Sequence, residues 1–329
     1  MNNSHKHVHW LIPYDGSLES VCQLNLASIR LRAGCMVACP DDQWTISVGE
    51  RIPLGTSHCI VGKIGKGGIE ERKELWLTQL ARFKKSGGRI ILDFTDNHLN
   101  SVTALGAFYR SVTSMVDTCV CSSQTLKNAL AAHWPGQIHV IPDPIEIEPV
   151  QPKSAAGSPA SILWFGHATN VKYLVDFLPR LQGAAPLRLM LLTNIEGIRW
   201  LQQSGASVPP NLRMELALWS VERTLEAGKV ADLCIIPSDP ADAQKSGASS
   251  NRLITALALG LPVAASMLGS YQEFASYFVD IQSGRFNDLL RNPLSFSDRV
   301  KAAQREVVPA FQMGHIARDW YRMLGTVSL

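Results

Sequence analysis

Residues 231–274, ADLCIIPSDPADAQKSGASSNRLITALALGLPVAASMLGSYQEF, decide how the chain is read. Ala231 to Pro237 is a short apolar run with β-branched residues, closed by an Asp-Pro turn signal, which predicts a strand buried on both faces. The loop after it carries Lys245 and then Ser249, Ser250, Asn251 and Arg252. Ser and Asn side chains cap helices by accepting from the unpaired amides of the first turn, so a helix is predicted to start here. Leu253, Leu257 and Leu261 recur four apart, and Ile254 and Leu259 widen that face. Gly260 stops the helix and Pro262 to Ala265 opens the next strand. A helix amino end beside a Lys and an Arg, at the carboxyl end of a parallel strand, suits an anion. In an open α/β sheet, ligands bind at that edge. The alternative is that Lys245 and Arg252 are solvated loop charges.

The 329 residues exceed one ordinary domain and predict two. Apolar residues make up 46% and charged residues 18%, a globular composition, and the formal charge of +3 is too small to argue for nucleic acid. No run of about 18 apolar residues is present, so no membrane span is predicted. The start, MNNSHKHVHW, enters a strand almost at once and lacks an apolar leader region. Seven cysteines lie scattered in apolar contexts, as buried thiols do in a reducing cytoplasm. Cys119 and Cys121 alternate with Val120 and are expected on one face of a strand.

The first half alternates strand and helix, the signature of a parallel sheet covered on both faces. Strands are expected at Val8 to Pro13, Met36 to Cys39, His58 to Val61, Arg89 to Phe94, Thr118 to Cys121 and Ile138 to Ile141. Helices are expected at about Leu18 to Leu31, Glu70 to Lys85 and Ala104 to Met115, with another running to Ala132. The loop GKIGKGG lacks the spacing of a phosphate-binding loop, which leaves Lys63 and Lys66 weak candidates for anion contact. Asp93, Asp96 and His98 stand at the carboxyl end of the fourth strand, where they could orient a hydroxyl or take its proton. Equally, Asp93 or Asp96 caps the next helix and His98 only packs.

Glu146 to Pro159, rich in Pro, Glu, Lys, Ser and Gly, reads as a linker. A new strand, Ser161 to Phe165, runs into Gly166-His167-Ala168-Thr169-Asn170-Val171-Lys172. Gly166 lets the backbone approach a ligand, and His167 and Lys172 follow at the ligand edge. Strands at Leu187 to Thr193 and Asn211 to Leu218 precede a short helix from Val221. Helices near Phe286 to Leu290 and Phe296 to Val307 follow, and Pro309 breaks the chain before a final helix from Met313 to Leu324. Ile316, Trp320 and Met323 share one face of it.

Two α/β halves, VIPDPIE, LWFGHATNVK and KSGASSNRLITALALGLPV together resemble the GT-B-fold glycosyltransferases, and most of all the large retaining, nucleotide-sugar-dependent group similar to family 4. That resemblance implies two Rossmann-like domains facing each other across a cleft, 1–147 on the acceptor side and 161–308 on the donor side. Residues 148–160 link them, and a C-terminal helix, 309–329, crosses back to the first domain. It puts Gly166, His167, Lys172, Lys245, Ser249, Ser250, Asn251 and Arg252 at the donor diphosphate and Asp15, Gly16 and Asp93 on the acceptor side. Asp96, His98 and Lys245 would carry catalysis.

The implied activity is hexosyl transfer with retention, from a nucleotide sugar to a carbohydrate or lipid-linked acceptor. No cofactor and no metal are implied, since cations can stabilise the leaving diphosphate and no Asp-x-Asp motif is present. The location expected is the cytoplasm, with peripheral contact at the inner membrane face as an option; no nucleic acid is expected. One departure matters. Gly247 and Thr255 stand where the group has two Glu, the second of which binds the donor ribose. A degenerate binding or scaffold protein, or a sugar-nucleotide epimerase of the same fold, are therefore alternatives.

Overall fold

The computed structural model describes residues 6–327, apart from 25, 65–67, 156, 158, 159, 184, 243, 244 and 246. Lys66 and part of the 148–160 linker thus lie outside the described residues. In chain order the strands and main helices are β1 (Lys6–Leu11), α1 (Ala27–Ala38), β2 (Trp44–Gly49), β3 (His58–Val61), α2 (Ile69–Lys85), β4 (Arg89–Phe94), α3 (Ala104–Thr113), β5 (Thr118–Cys121), α4 (Gln124–Ala131) and β6 (Ile138–Val140). Then come β7 (Ala160–Phe165), α5 (Val171–Phe177), β8 (Leu187–Thr193), α6 (Ile195–Gln203), β9 (Leu212–Leu218), α7 (Val221–Val230), β10 (Leu233–Ile236), α8 (Asn251–Ala258), β11 (Val263–Ala265) and β12 (Val279–Asp280). The chain closes with α9 (Arg285–Arg291), α10 (Ser297–Glu306) and α11 (Met313–Thr326).

Two compact units result. One holds Met1–Pro144, Gly247–Ser249 and Phe311–Leu329; the other holds Ile145–Ser246 and Ser250–Ala310. Each carries a six-stranded parallel sheet, ordered β2-β1-β3-β4-β5-β6 and β12-β11-β10-β7-β8-β9. Helices on both faces bury these strands, which is why they read as apolar runs instead of alternating ones. Cys119 and Cys121 face one core layer of the first unit and Val120 the other.

The second strand is not Met36 to Cys39. Those residues continue α1, with Cys35 and Met36 fully buried, and β2 begins eight residues further on at Trp44. A short apolar run cannot by its pattern be told from the buried end of a helix. Nor is the segment after Pro144 a free tether. The Asp232 carboxylate, almost wholly buried, accepts from Lys153 Nζ (3.2 Å), Gly157 N (2.9 Å) and Ser161 N (2.8 Å), and Val150 N donates to Ala258 O (2.7 Å). A buried carboxylate needs such donors, and the segment supplies them.

Helix α11 packs in the first unit. Ile316, Trp320, Met323 and Leu324 join a core with Val8, Trp10 and Ile60; Trp320 meets Trp10 edge-to-face at 5.0 Å. Tyr321 Oη donates to Met36 O (2.9 Å), and His58 Nε2 to Val327 O (2.9 Å). Trp320→Ala should cost about 3–5 kcal/mol, the usual range for emptying an aromatic core position, as read from urea unfolding. A loss near zero would mean the helix docks without holding the sheet.

A hydrogen-bonded line crosses β1 and β2: His7 Nε2 to Ser47 Oγ (2.7 Å), Ser47 Oγ to His9 Nδ1 (2.8 Å), and His9 Nε2 to Gly49 O (3.2 Å). The carbonyl end requires a proton on His9 Nε2, so Nδ1 accepts from Ser47. Burial pushes the pKa of His9 down to about 4, against a smaller upward pull from the Gly49 carbonyl. The folded chain keeps His9 neutral while the unfolded chain protonates it near 6.5. Its contribution is therefore whole above about pH 6.5 and lost as pH falls towards 4, roughly 3 kcal/mol in all. Wild type should lose urea stability across that window more steeply than His9→Gln; parallel profiles would exclude His9 as the cause.

Candidate functional site

In the second unit, β7 continues into β8 on one side while β10 continues into β11 on the other, so the strand order reverses between β7 and β10. Ligands of open α/β sheets bind outside the carboxyl ends at such a point. Two loops converge there. After β7 come Gly166, His167, Asn170, Lys172 and Tyr173; after β10 come Ser238, Asp242 and Lys245.

The loops are tied through Tyr173. Its hydroxyl donates to Asp242 Oδ2 (2.9 Å), Lys172 Nζ lies 4.5 Å from its ring centre and Lys245 Nζ 6.0 Å. Lys245 Nζ also donates to Asn170 Oδ1 (3.0 Å). Two ammonium groups are thus held near one aromatic ring, a cation–π arrangement that fixes charge without consuming it. His167 is exposed and turned to its own backbone: Nδ1 accepts from Thr169 N (3.3 Å), opening a 3-10 turn over Ala168–Asn170. The Ala168 amide donates to Asn194 Oδ1 (2.9 Å).

Arg252 gives the sharpest observation. A Cβ built on Gly166 would lie 3.1 Å from Arg252 Nη1 and 3.3 Å from the Trp164 ring, so glycine is what lets the guanidinium lie against this backbone. Burial pushes the Tyr271 hydroxyl's pKa up, and Arg252, hydrogen-bonded to it, pulls it partly back. Arg252 Nη1 itself is buried with no hydrogen-bond acceptor among the described residues, as are Trp164 Nε1, Ser238 Oγ and Ser270 Oγ. A buried charged donor left unmatched is costly unless something else meets it. Nearby, Ser266 Oγ accepts from Ser238 N (2.9 Å) and donates to Ser238 O (2.8 Å), stapling the ends of β10 and β11.

The predicted caps behave differently. Ser250 is the cap residue of α8 but makes no side-chain cap bond; its φ of −75° and ψ of 1° lie outside the extended conformation a capping serine adopts. Asn251 Oδ1 accepts from Thr255 Oγ1 (3.5 Å), and Ser249 belongs to the first unit. Of the donor-side candidates, the structure brings together Gly166 with Arg252, and Lys172 with Lys245. Tyr173, Asp242, Asn170, Tyr271 and the serine staple were missed, because scattered polar residues carry no spacing signal.

In the first unit, Asp15 and Gly16 lie exposed on the turn after β1, where the Tyr14 hydroxyl bonds Ser17 O (3.1 Å) and the Ser20 hydroxyl. Asp96 pairs with Lys63, and His98 Nε2 stands 3.9 Å from Asp96 Oδ2 while its ring stacks on Tyr109. Thr103, not an aspartate, caps α3. Asp93 must be removed from the acceptor side: it is 2% exposed, and Arg32 Nε donates to both its oxygens at 2.8 Å. Among the described residues no group of three or more His, Cys, Asp or Glu side chains could hold a metal ion, and no helix is long and apolar enough to cross a membrane.

No family model and no curated protein matches the chain. Solved structures do. An α-glucosyltransferase in complex with UDP superposes with a TM-score of 0.62 at 10% identity, covering 97% of this chain and 100% of that one. AviGT4, a glycosyltransferase of avilamycin A biosynthesis, gives 0.55 at 14% identity over 96% of each chain. The fold is GT-B. An α-glucosyltransferase bound to UDP-glucose and to DNA containing an abasic site gives 0.57 at 10% identity, covering 98% of this chain and 99% of that one. The exclusion of nucleic acid drawn from net charge therefore finds no support among these neighbours. The GT-B chain is short beside others: it spans 56% of the matched chain of the GtfA/B complex and 58% of TarM.

If Arg252 is kept for a ligand and not for the fold, removing its charge relieves a buried cost. Arg252→Met should leave the melting temperature of the free chain unchanged or raised, while weakening pyrophosphate binding by about tenfold or more in calorimetry. A clear drop in melting temperature with unchanged binding would make it a structural residue.

Proposed function

We propose that the chain is a glycosyltransferase that moves a hexosyl group from a nucleoside-diphosphate sugar to a hydroxyl of a glycan or lipid-linked acceptor, with retention and without a metal ion. The observation that carries this reading is the Arg252 guanidinium, seated on the Gly166 backbone at the strand-order switch with a buried donor unmatched among the described residues. The likeness of the whole chain to glycosyltransferases solved with UDP supports it at the level of fold. In this reading the diphosphate lies against Arg252, Lys245 and Lys172. As the bond from the sugar's anomeric carbon to the diphosphate oxygen breaks, its electron pair stays on that oxygen, where the three cations meet the growing charge. The acceptor oxygen forms the new bond and gives up its proton; His98, with Asp96 behind it, is the group assigned to receive it. Asp15 and Gly16 are assigned to the acceptor, and His167, Ser249, Ser250 and Asn251 to the diphosphate's surroundings.

A specific observation favours a second reading, a binding protein without transferase activity. Thr255 is buried and bonded within its own helix, and Gly247 has no side chain, so neither position offers a carboxylate to a ribose.

Calorimetry with a panel of nucleoside diphosphates, followed by a transfer assay with the matching nucleotide sugars, separates the two. Binding with turnover that survives EDTA is expected, and His98→Ala should lower turnover while leaving nucleotide affinity unchanged. Binding without turnover on any donor selects the second reading. No binding by any nucleotide defeats both, and activity lost to EDTA but restored by Mg or Mn ions defeats metal independence.

A further inference from the structure

Strand β9 ends the second unit's sheet, and it is the longest edge strand described, with seven residues against six in β2, three in β6 and two in β12. Natural edges are usually blunted by shortness or by charge, because their outer amides invite another strand. Shortness blunts β6 and β12; β9 has no such protection.

Its hydrogen-bonding direction can be read from its neighbour. Leu187 N donates to Asn211 O and Trp219 N donates to Thr193 O, so the odd-numbered residues turn their amides to β8. The backbone groups of Leu212, Met214, Leu216 and Leu218 therefore point outward; of these the Leu212 N–H is taken by Pro209 O (2.9 Å) and the Leu218 C=O by Arg223 Nη1 (3.1 Å). Apolar surface accompanies them: Leu216 is 38% exposed and Leu218 46%, and Trp200 of the adjoining α6 is 42% exposed. The opposite face carries Arg213, largely exposed, 3.4 Å from Glu215, which Arg188 already holds at 2.5 Å.

We propose that β9 is a homodimer interface, pairing antiparallel with the same strand of a second copy about a two-fold axis through Met214. The sequence of the strand, LRMELAL, is self-complementary in this register. Met214 faces Met214 as a hydrogen-bonded pair, and opposite Leu212 the Leu216 N–H donates to the Leu212 C=O of the other copy, the Leu212 N–H staying with Pro209 O. Arg213 then stands opposite Glu215 of the other copy, twice, at non-hydrogen-bonded positions, where side chains come closest. Shifting the axis to Leu212 or Leu216 keeps the outward amides but sets Arg213 against Asn211 or Trp219, so the charges select one register. The interface is isologous, as a two-fold contact must be, and it joins two six-stranded sheets into one.

Sedimentation velocity of the full chain tests this. Wild type should sediment as a dimer. Glu215→Arg and Arg213→Glu should each weaken dimerisation by about tenfold or more, through two lost pairs and two like-charge contacts. The double exchange R213E/E215R should restore it, since the opposed charges are only swapped and Arg188 regains a carboxylate at position 213, its register partner in β8. Leu216→Lys, a change at an exposed position, should also give monomers, with circular dichroism unchanged to show that the fold survives. A monomeric wild type at the highest soluble concentration overturns the proposal and makes the two charges guards of the edge. So does a dimer indifferent to these substitutions, or one that the double exchange fails to restore.

Discussion

The first unit is built round a fully buried guanidinium. Arg32, on α1, is fully buried; it donates to both oxygens of Asp93 at the end of β4, to Asp143 Oδ1 (2.9 Å) and to Ile141 O (2.8 Å), and lies 5.0 Å over the Trp320 ring of α11. Burial alone would loosen its proton, but Asp93 and Asp143 outweigh that and hold it charged. Four segments, from residue 32 to residue 320, are therefore fixed by one side chain. Such a network adds little over a well-packed apolar core, but losing one partner strands a buried charge at a cost of about 3–5 kcal/mol. That asymmetry makes the arrangement a constraint: α1, β4, the end of β6 and α11 must all be in place, or none is comfortable.

The second unit obeys the opposite rule at its carboxyl edge. There a charged group is brought against backbone with one of its donors unmet among the described residues, and the fold accommodates it because Gly166 has no side chain and Tyr271 takes part of the guanidinium's bonding. Strain of this kind persists where the surroundings over-determine it, and it clusters at functional sites. The two arginines differ in burial and in partners: Arg32 is fully buried and Arg252 is half-buried. Arg32 meets two carboxylates of its own chain and holds the fold; Arg252 meets the Tyr271 hydroxyl and is the group that the proposed function gives to the diphosphate.

Much of the fold was legible because parallel strands announce themselves as apolar runs. β4, β5 and β8 span the apolar runs that predict them, and Gly260 marks the end of α8. Misreadings came where pattern and partner separate. Met36 to Cys39 is apolar enough for a strand, but it finishes a helix whose other end starts at Ala27. Asp93 reads as a polar residue at a ligand edge; its partner lies 61 positions away, and no local window can contain both. On the donor side, cations and the glycine could be picked out by type. Tyr173 could not, since its role is to hold two lysines by its ring, a use indistinguishable in sequence from an ordinary core tyrosine.

Packing holds Gly247 in a place that a carboxylate-bearing side chain does not fit. Its carbonyl accepts from Ser123 Oγ (3.1 Å), and a Cβ built on it would lie 2.8 Å from Leu126 side-chain atoms, so a larger residue would have to displace α4's packing. The backbone has been drawn into contact that glutamate would forbid. At Thr255 the hydroxyl turns to Asn251 within the same helix, and the position is 8% exposed. Both positions are held by local packing and bonding. Under the proposed function, recognition must then rest on charge, through Arg252, Lys245 and Lys172, and such contacts read a diphosphate without reading the sugar hydroxyls of the nucleoside. Discrimination among nucleosides would have to come from groups that touch the base.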